Sequence, residues 1–236
     1  MIQACDALTP DQEILPSASY TDGNYHATAV TAALGDTAFT YGMQRICGCT
    51  WLYVVSHLQV YLAHYWEDIS FGKEEKDTTP LQFQEQVLDF LDYGYQPPNG
   101  QPLQPSLRSV ASKFIGQPGL QAAIYSPEAQ SDEPNAADFL YNDKVQLMAQ
   151  KVSEIINQPP QTVRYKPVDA AKDRPPRGPD MLGKTAAGHM IFQYDPMGAG
   201  SRGKPNNAWR IMWERGIIAG DVWAPSEIVI DASITS

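Results

Sequence analysis

The stretch Thr50–Trp66, TWLYVVSHLQVYLAHYW, is dense in residues that favour β-strands. β-branched and aromatic side chains fill Thr50–Val55 and Leu58–Trp66, and only Ser56 and His57 separate the two runs. A short polar interruption between two such runs favours a tight reversal of the chain. The stretch therefore predicts a β-hairpin.

A two-residue loop at Ser56 and His57 would place Cys49 directly opposite His64. Opposed residues lie on one face of a hairpin with their Cβ atoms ~4.5–5.5 Å apart, which is within hydrogen-bond reach for a thiol and an imidazole. A loop of odd length would instead put the two side chains on opposite faces. The two-residue register predicts a nucleophile beside its base.

The residues around Cys49 carry a resemblance to a known family. Ile46-Cys47-Gly48-Cys49-Thr50 resembles the Leu-Ser-Gly-Cys-Thr signature of the cytotoxic necrotizing factor family of bacterial toxins. In that family the catalytic histidine lies on the next strand, at the same separation as His64 from Cys49. The chemoreceptor glutamine deamidases have a similar Cys-His pair. The resemblance covers about residues 46–64, and Met43 stands where some relatives carry a Thr that orients the histidine.

The resemblance implies a Cys-His protein glutamine deamidase, of a toxin or effector type. Cys49 would attack the glutamine carboxamide, and His64 would hold the thiol proton and pass it to the departing ammonia. Gly48 would let backbone N–H groups approach the oxyanion, although a glycine there is equally typical of a bulge at the start of a strand. Trp66 would be either a wall of the pocket or part of the core.

Three other interpretations stay open. An amine could replace water at the thioester, which would make the chain a transglutaminase with the same dyad. The chain could be a non-catalytic acidic interaction module in which the hairpin is only core. Cys47, Cys49, His64 and Glu67 could bind zinc, but sulfurs ~7 Å apart on a regular strand are too wide for two zinc bonds. No metal and no cofactor is therefore expected.

Composition limits the class of partner. With 236 residues and 43% hydrophobic content, the chain can bury a large core. No segment approaches the ~20 apolar residues of a membrane span. A formal charge of −10 disfavours nucleic acid and anionic membranes as partners. The resemblance implies a protein partner that bears a reactive glutamine. Three cysteines and the absence of a hydrophobic leader are compatible with a secreted or delivered effector and with a cytosolic protein.

The chain is predicted to consist of an irregular arm over residues 1–24 and a single deamidase-like domain over residues 25–236. Strands are expected on both sides of a helical middle, which indicates an α+β fold: a mixed β-sheet sandwich with peripheral helices and long loops. Strands are predicted at 26–34, 37–43, 120–125, 162–165, 188–194, 209–213 and 227–230, and helices at 80–93, 107–115 and 142–158.

Two loops rich in Gly, Pro and basic residues, Pro167–Lys184 and Pro196–Asn207, are predicted to border the Cys49 pocket. The segment Gly198–Lys204 also satisfies the G-x-G-x-x-G pattern of nucleotide sites. Pro205 occupies the position that would bind Mg²⁺, and the next residues alternate as in a strand, so the segment predicts a hairpin loop. His26 and His189 are expected to be structural, and His57 to be an exposed turn residue.

Overall fold

The computed structural model describes residues 26–44, 46–72, 78–97, 102–129, 138–167, 188–198, 206–214 and 216–224. Within these ranges the strands form two sheets that pack face to face. The strands are β1 (Thr28–Ala33), β2 (Phe39–Met43), β3 (Thr50–Val55), β4 (Gln59–Tyr65), β5 (Gln121–Pro127), β6 (Gln161–Tyr165), β7 (Met190–Gly198), β8 (Asn206–Trp213) and β9 (Gly216–Trp223). The first sheet has the order β1-β4-β3-β5-β6 and the second the order β2-β7-β8-β9.

The first sheet is mixed because β5 and β6 run parallel, whereas the pairings of the second sheet are antiparallel. Every residue of β3 and β4 is buried, because the first sheet is covered on both faces. Alternate side chains of β3 and β4 therefore point to two different cores. The predicted α+β sandwich, with helices at its periphery, is confirmed.

The core between the sheets is rich in aromatic side chains. Trp51 stacks on Tyr125 of its own sheet at a ring-centroid distance of 4.1 Å and lies 5.5 Å from Trp213 of the other sheet. Tyr53 contacts Trp209 across the same interface. Burying one such side chain stabilises a fold by about 1.5–3 kcal/mol, so these contacts hold the two sheets together.

The helices cover the outer face of the first sheet. They are α1 (Pro80–Phe83), α2 (Phe90–Tyr93) and α3 (Asn142–Ile156), with π-helical turns at Glu67–Phe71 and Gln84–Asp89 and a 3-10 helix at Arg108–Lys113. Thr79 and Gln82 form a capping box ahead of α1. α3 buries the apolar stripe that its sequence predicted, namely Val145, Met148, Val152, Ile155 and Ile156. No helix in the described ranges is both long and apolar enough to cross a membrane.

The predicted hairpin forms, but its predicted register is wrong by two residues. Val55 pairs with Val60, so the connection has four residues instead of two. The Ser56 N–H donates to the carbonyl of Gln59, and the Ser56 hydroxyl accepts from the N–H groups of Leu58 and Gln59. A serine that bonds the backbone ahead of it favours this wider turn, whereas a two-residue turn needs positive φ angles that Ser and His rarely adopt.

The other differences between the structure and the predictions from the sequence concern single elements. Asn142 is the first residue of α3 and not its cap; Tyr141 holds the cap position and makes no side-chain cap bond. β9 was not predicted. The predicted strand at 227–230 and the arm at 1–24 lie outside the described residues, and the single domain over 25–236 stays a prediction.

Candidate active site

Cys49 and His64 lie at one end of the first sheet, on the face that looks into the core between the sheets. Cys49 directly precedes β3, and His64 is the second-last residue of β4. The two-residue change of register preserves the faces, because side chains alternate with a period of two. The pair therefore shares a face, as the sequence predicted.

The two side chains are not bonded to each other. His64 pairs with Trp51, so Cys49 is its diagonal neighbour, one step further along β3. Diagonal neighbours have α-carbons ~7–8 Å apart, and long side chains can bridge that separation. Both ring nitrogens of His64 are buried, and neither has a hydrogen-bond partner among the described residues. The predicted Cys49–His64 hydrogen bond is thus absent from this structure.

His64 lies in an apolar environment. It has no exposed surface, and its ring makes an edge contact with Trp66 at a centroid distance of 4.7 Å. Burial lowers the pKa of His64 to about 4. Thr28, which is paired with His64 on β1, and Trp51 each carry a buried polar atom that also lacks a partner within the described part of the chain. This end of the core therefore holds several polar atoms whose hydrogen bonds are unmade.

The Cys49 thiol is also buried, with 6% of the residue exposed. Burial raises the pKa of Cys49 to about 12; backbone N–H groups of Glu67 and Gly48 oppose the rise, and the nearby Glu67 carboxylate adds to it. The sequence predicted a thiolate beside an imidazolium. In this structure the pKa values of both groups are shifted in the opposite direction, and both groups are held in their neutral forms.

The backbone around Cys49 is anchored by two side chains from the neighbouring strands. The Tyr165 hydroxyl donates to the Cys49 carbonyl over 2.6 Å, and Thr50 and Ser126 share a hydroxyl–hydroxyl bond of 2.8 Å. Buried bonds of this kind fix the end of β3 against β5 and β6. They hold the main chain of Cys49 in place independently of its thiol.

The side chain of Glu67 explains why position 48 carries a glycine. A Cβ atom added to Gly48 would lie 2.0 Å from Oε2 and 2.6 Å from Cδ of Glu67, so only glycine leaves room for the carboxylate. The other carboxylate oxygen of Glu67 accepts a short hydrogen bond from the Tyr141 hydroxyl. Burial raises the pKa of Tyr141 well above its ordinary value, as does the bond to Glu67, so its hydroxyl stays protonated.

Gly48→Ala should therefore displace the Glu67 carboxylate and break its bond to Tyr141, which should destabilise the protein by about 1 kcal/mol, the usual net contribution of one hydrogen bond. The measurement is urea unfolding at pH 7. Gly35→Ala is the matched control, because its added Cβ would meet nothing within 4 Å, and it should change stability by less than about 0.5 kcal/mol. Adding Glu67→Ala to Gly48→Ala should cost little more than either single change, because both changes break the same bond to Tyr141. Additive losses in the double variant would contradict the steric explanation.

The expectation for His57 was wrong. His57 is 5% exposed, its Nε2 lies 2.9 Å from Oδ2 of Asp221, and its ring stacks on Trp223. Through these two contacts His57 links the β3–β4 turn to β9 of the other sheet. His189 is buried, and His26 stacks on Tyr95, consistent with the structural roles expected for both.

The remaining site predictions have mixed outcomes. Across the described ranges, no group of three or more His, Cys, Asp or Glu side chains has the geometry to hold a metal ion. The basic loops are outside the described residues for most of their length, so their place beside Cys49 stays a prediction. The residues after the G-x-G-x-x-G segment form β8 and not a helix, as the alternation predicted.

Sequence reasoning missed the part played by Glu67, Tyr141 and Tyr165. Glu67 was considered only as a fourth zinc ligand, and Tyr141 is 74 residues away from it in the chain. The one available signal was Gly48, since a glycine before a buried strand indicates that something approaches the backbone closely. Comparison of the chain with protein-family models, curated proteins and solved structures gives no match.

Proposed function

We propose that this chain is a cysteine-dependent deamidase of protein glutamine, with Cys49 as nucleophile and His64 as base. The observation that carries the proposal is His64: a fully buried imidazole with two unmade hydrogen bonds, on the same face as the thiol and one diagonal step from it. A buried polar group without a partner costs about 1–3 kcal/mol. An unpaired buried polar group calls for an explanation, such as a catalytic role or a bound water, and a thiol on the same face favours the catalytic role.

The reaction proceeds in two steps, formation of a thioester and its hydrolysis. The Cys49 sulfur attacks the glutamine carboxamide carbon while His64 takes the thiol proton; the C–N bond then breaks, and the proton leaves with ammonia. A thioester between Cys49 and the substrate remains. Water, deprotonated by His64, cleaves the thioester, giving glutamate and the free thiol.

The neutral pair in this structure is a resting state. Burial raises the pKa of Cys49 and lowers that of His64, so moving a proton from the thiol to the imidazole is unfavourable in this structure. Substrate binding must therefore first change the surroundings of the thiol.

The test is incubation of the full chain with folded proteins and with short glutamine peptides. Each converted glutamine should gain about 1 Da in the mass spectrum, with one equivalent of ammonia released. An added alkylamine separates the two uses of the thioester, because a transglutaminase would join the amine to glutamine. Unchanged glutamines in every substrate, with no ammonia and no amine incorporation, would overturn the proposal.

A further inference from the structure

Glu67 is placed against the backbone of the proposed nucleophile. It is the first residue of the π-helical turn after β4, and its carboxylate lies over Gly48, where a Cβ would otherwise stand. Its own N–H group interacts with the Cys49 sulfur. The Tyr141 hydroxyl closes the other side of the carboxylate. The carboxyl group therefore fills a small space between Gly48 and Tyr141, and it is near enough to the thiol to raise the pKa of Cys49.

A glutamate side chain has the same length and shape as a glutamine side chain. The two differ only in the exchange of one oxygen for an NH₂ group. A space that admits the carboxyl of Glu67 therefore also admits a carboxamide, and it lies beside Gly48, the residue before the cysteine that would attack it.

Resting on the proposed function, we propose that Glu67 occupies the subsite for the substrate's glutamine amide. A substrate glutamine replaces the Glu67 side chain there, and the Tyr141 hydroxyl then donates to the amide oxygen as negative charge develops on it. Tyr141 suits this role because it is buried, with 5% of the residue exposed, and remains a donor at neutral pH. A fixed phenol aimed at a developing oxyanion stabilises the transition state more than the ground state.

The residues around Glu67 allow a substrate glutamine to replace its side chain. Glu67 is partly exposed, so its side chain has a route to solvent. The far end of the same turn is fixed, since the Lys144 ammonium donates to the carbonyls of Phe71 and Gly72. The departure of the carboxylate also removes a negative charge from beside Cys49, which favours the thiolate. Substrate binding and activation of the thiol are thereby linked.

The experiment measures alkylation of Cys49 by iodoacetamide, which carries a carboxamide group, in a Cys47→Ser background so that one thiol is read at this site. Glu67→Ala empties the subsite and should raise the rate at pH 7.5 by about tenfold or more. Glu67→Gln removes the charge but keeps the space filled, so its rate should stay within about threefold of the parent. Asp68→Ala is the matched control: it removes the same charge one residue away and should leave the rate unchanged.

Two results would overturn the inference. A rate in Glu67→Ala equal to that of the parent would show that Glu67 does not cover the thiol. Equal acceleration in Glu67→Ala and Glu67→Gln would show that only the charge matters and that no subsite is filled. If Glu67→Ala fails to fold by circular dichroism, Glu67→Ser replaces it with the same expected rise.

Tyr141→Phe tests the donor directly. With a glutamine peptide it should lower kcat by about 10²-fold with little change in KM, as expected for a bond made in the transition state. A rise in KM with kcat unchanged would contradict that role. Failure of the proposed function is distinguishable, because a chain that releases no ammonia from any substrate would still yield the alkylation rates.

Discussion

Cys49→Ser should abolish glutamine deamidation, with a loss in kcat of roughly 10³-fold or more. The substitution changes one atom, and the fold should survive because the Tyr165 bond goes to the main chain of Cys49, while a serine hydroxyl can accept from the Glu67 and Gly48 N–H groups as the thiol does. Serine fails because its hydroxyl does not supply an accessible anion near neutral pH. The measurement is ammonia release from a glutamine peptide, with circular dichroism as the check on folding.

Cys47→Ser is the control that distinguishes a single nucleophilic cysteine from a site that needs both cysteines. Cys47 stands where the resembled toxin family carries serine, so this variant should keep most of the activity. An equal loss in both variants, accompanied by loss of a bound metal, would favour zinc in place of a thiol nucleophile. An equal loss without metal would mean that the two cysteines act together, which the proposed mechanism does not allow.

His64→Leu should have two opposite effects: loss of activity and a gain in stability of about 1–3 kcal/mol at pH 7. Leucine has a similar volume and removes two buried nitrogens whose hydrogen bonds are unmade. The measurement is urea unfolding. His57→Leu is the matched control, because that histidine is also buried but bonds Asp221, so its replacement should destabilise the protein.

The pH dependence of stability tests the same residue. Unfolded His64 takes up a proton near pH 6.5, whereas the folded protein resists protonation until about pH 4. Because the unfolded state binds more protons in that window, the free energy of unfolding should fall as the pH drops from 6.5 to 4, by about 3 kcal/mol. In His64→Leu this fall in the free energy of unfolding should vanish, and only the contribution of other groups such as His26 should remain. Parallel pH profiles for the two proteins would contradict the burial of a neutral imidazole.

The sequence predicts the fold to the extent that each element's pattern is local. Alternation in β3 and β4 placed Cys49 and His64 on one face, and the spacing of apolar residues in α3 marked its buried stripe. The register escaped prediction because a single hydroxyl, that of Ser56, sets the length of the turn. β9 escaped because GIIAGDVW has two glycines and no regular alternation.

The contacts of the candidate site depend on residues far apart in the chain. The partner of the Cys49 carbonyl is 116 positions away, and the partner of Glu67 is 74 positions away. No local pattern marks either pair. The sequence therefore predicts a candidate pair of residues, while their burial, and with it their protonation, depends on tertiary packing.

The strand order has a consequence for how the protein folds. β2 lies between β1 and β3 in the chain but belongs to the other sheet, where its partner is β7, about 150 residues later. Pairings of such high contact order form late, because a long loop must close before they gain energy. The second sheet closes the face that carries Trp51 and His64. The low pKa of His64 is therefore a property of the assembled sandwich and not of the β3–β4 hairpin alone.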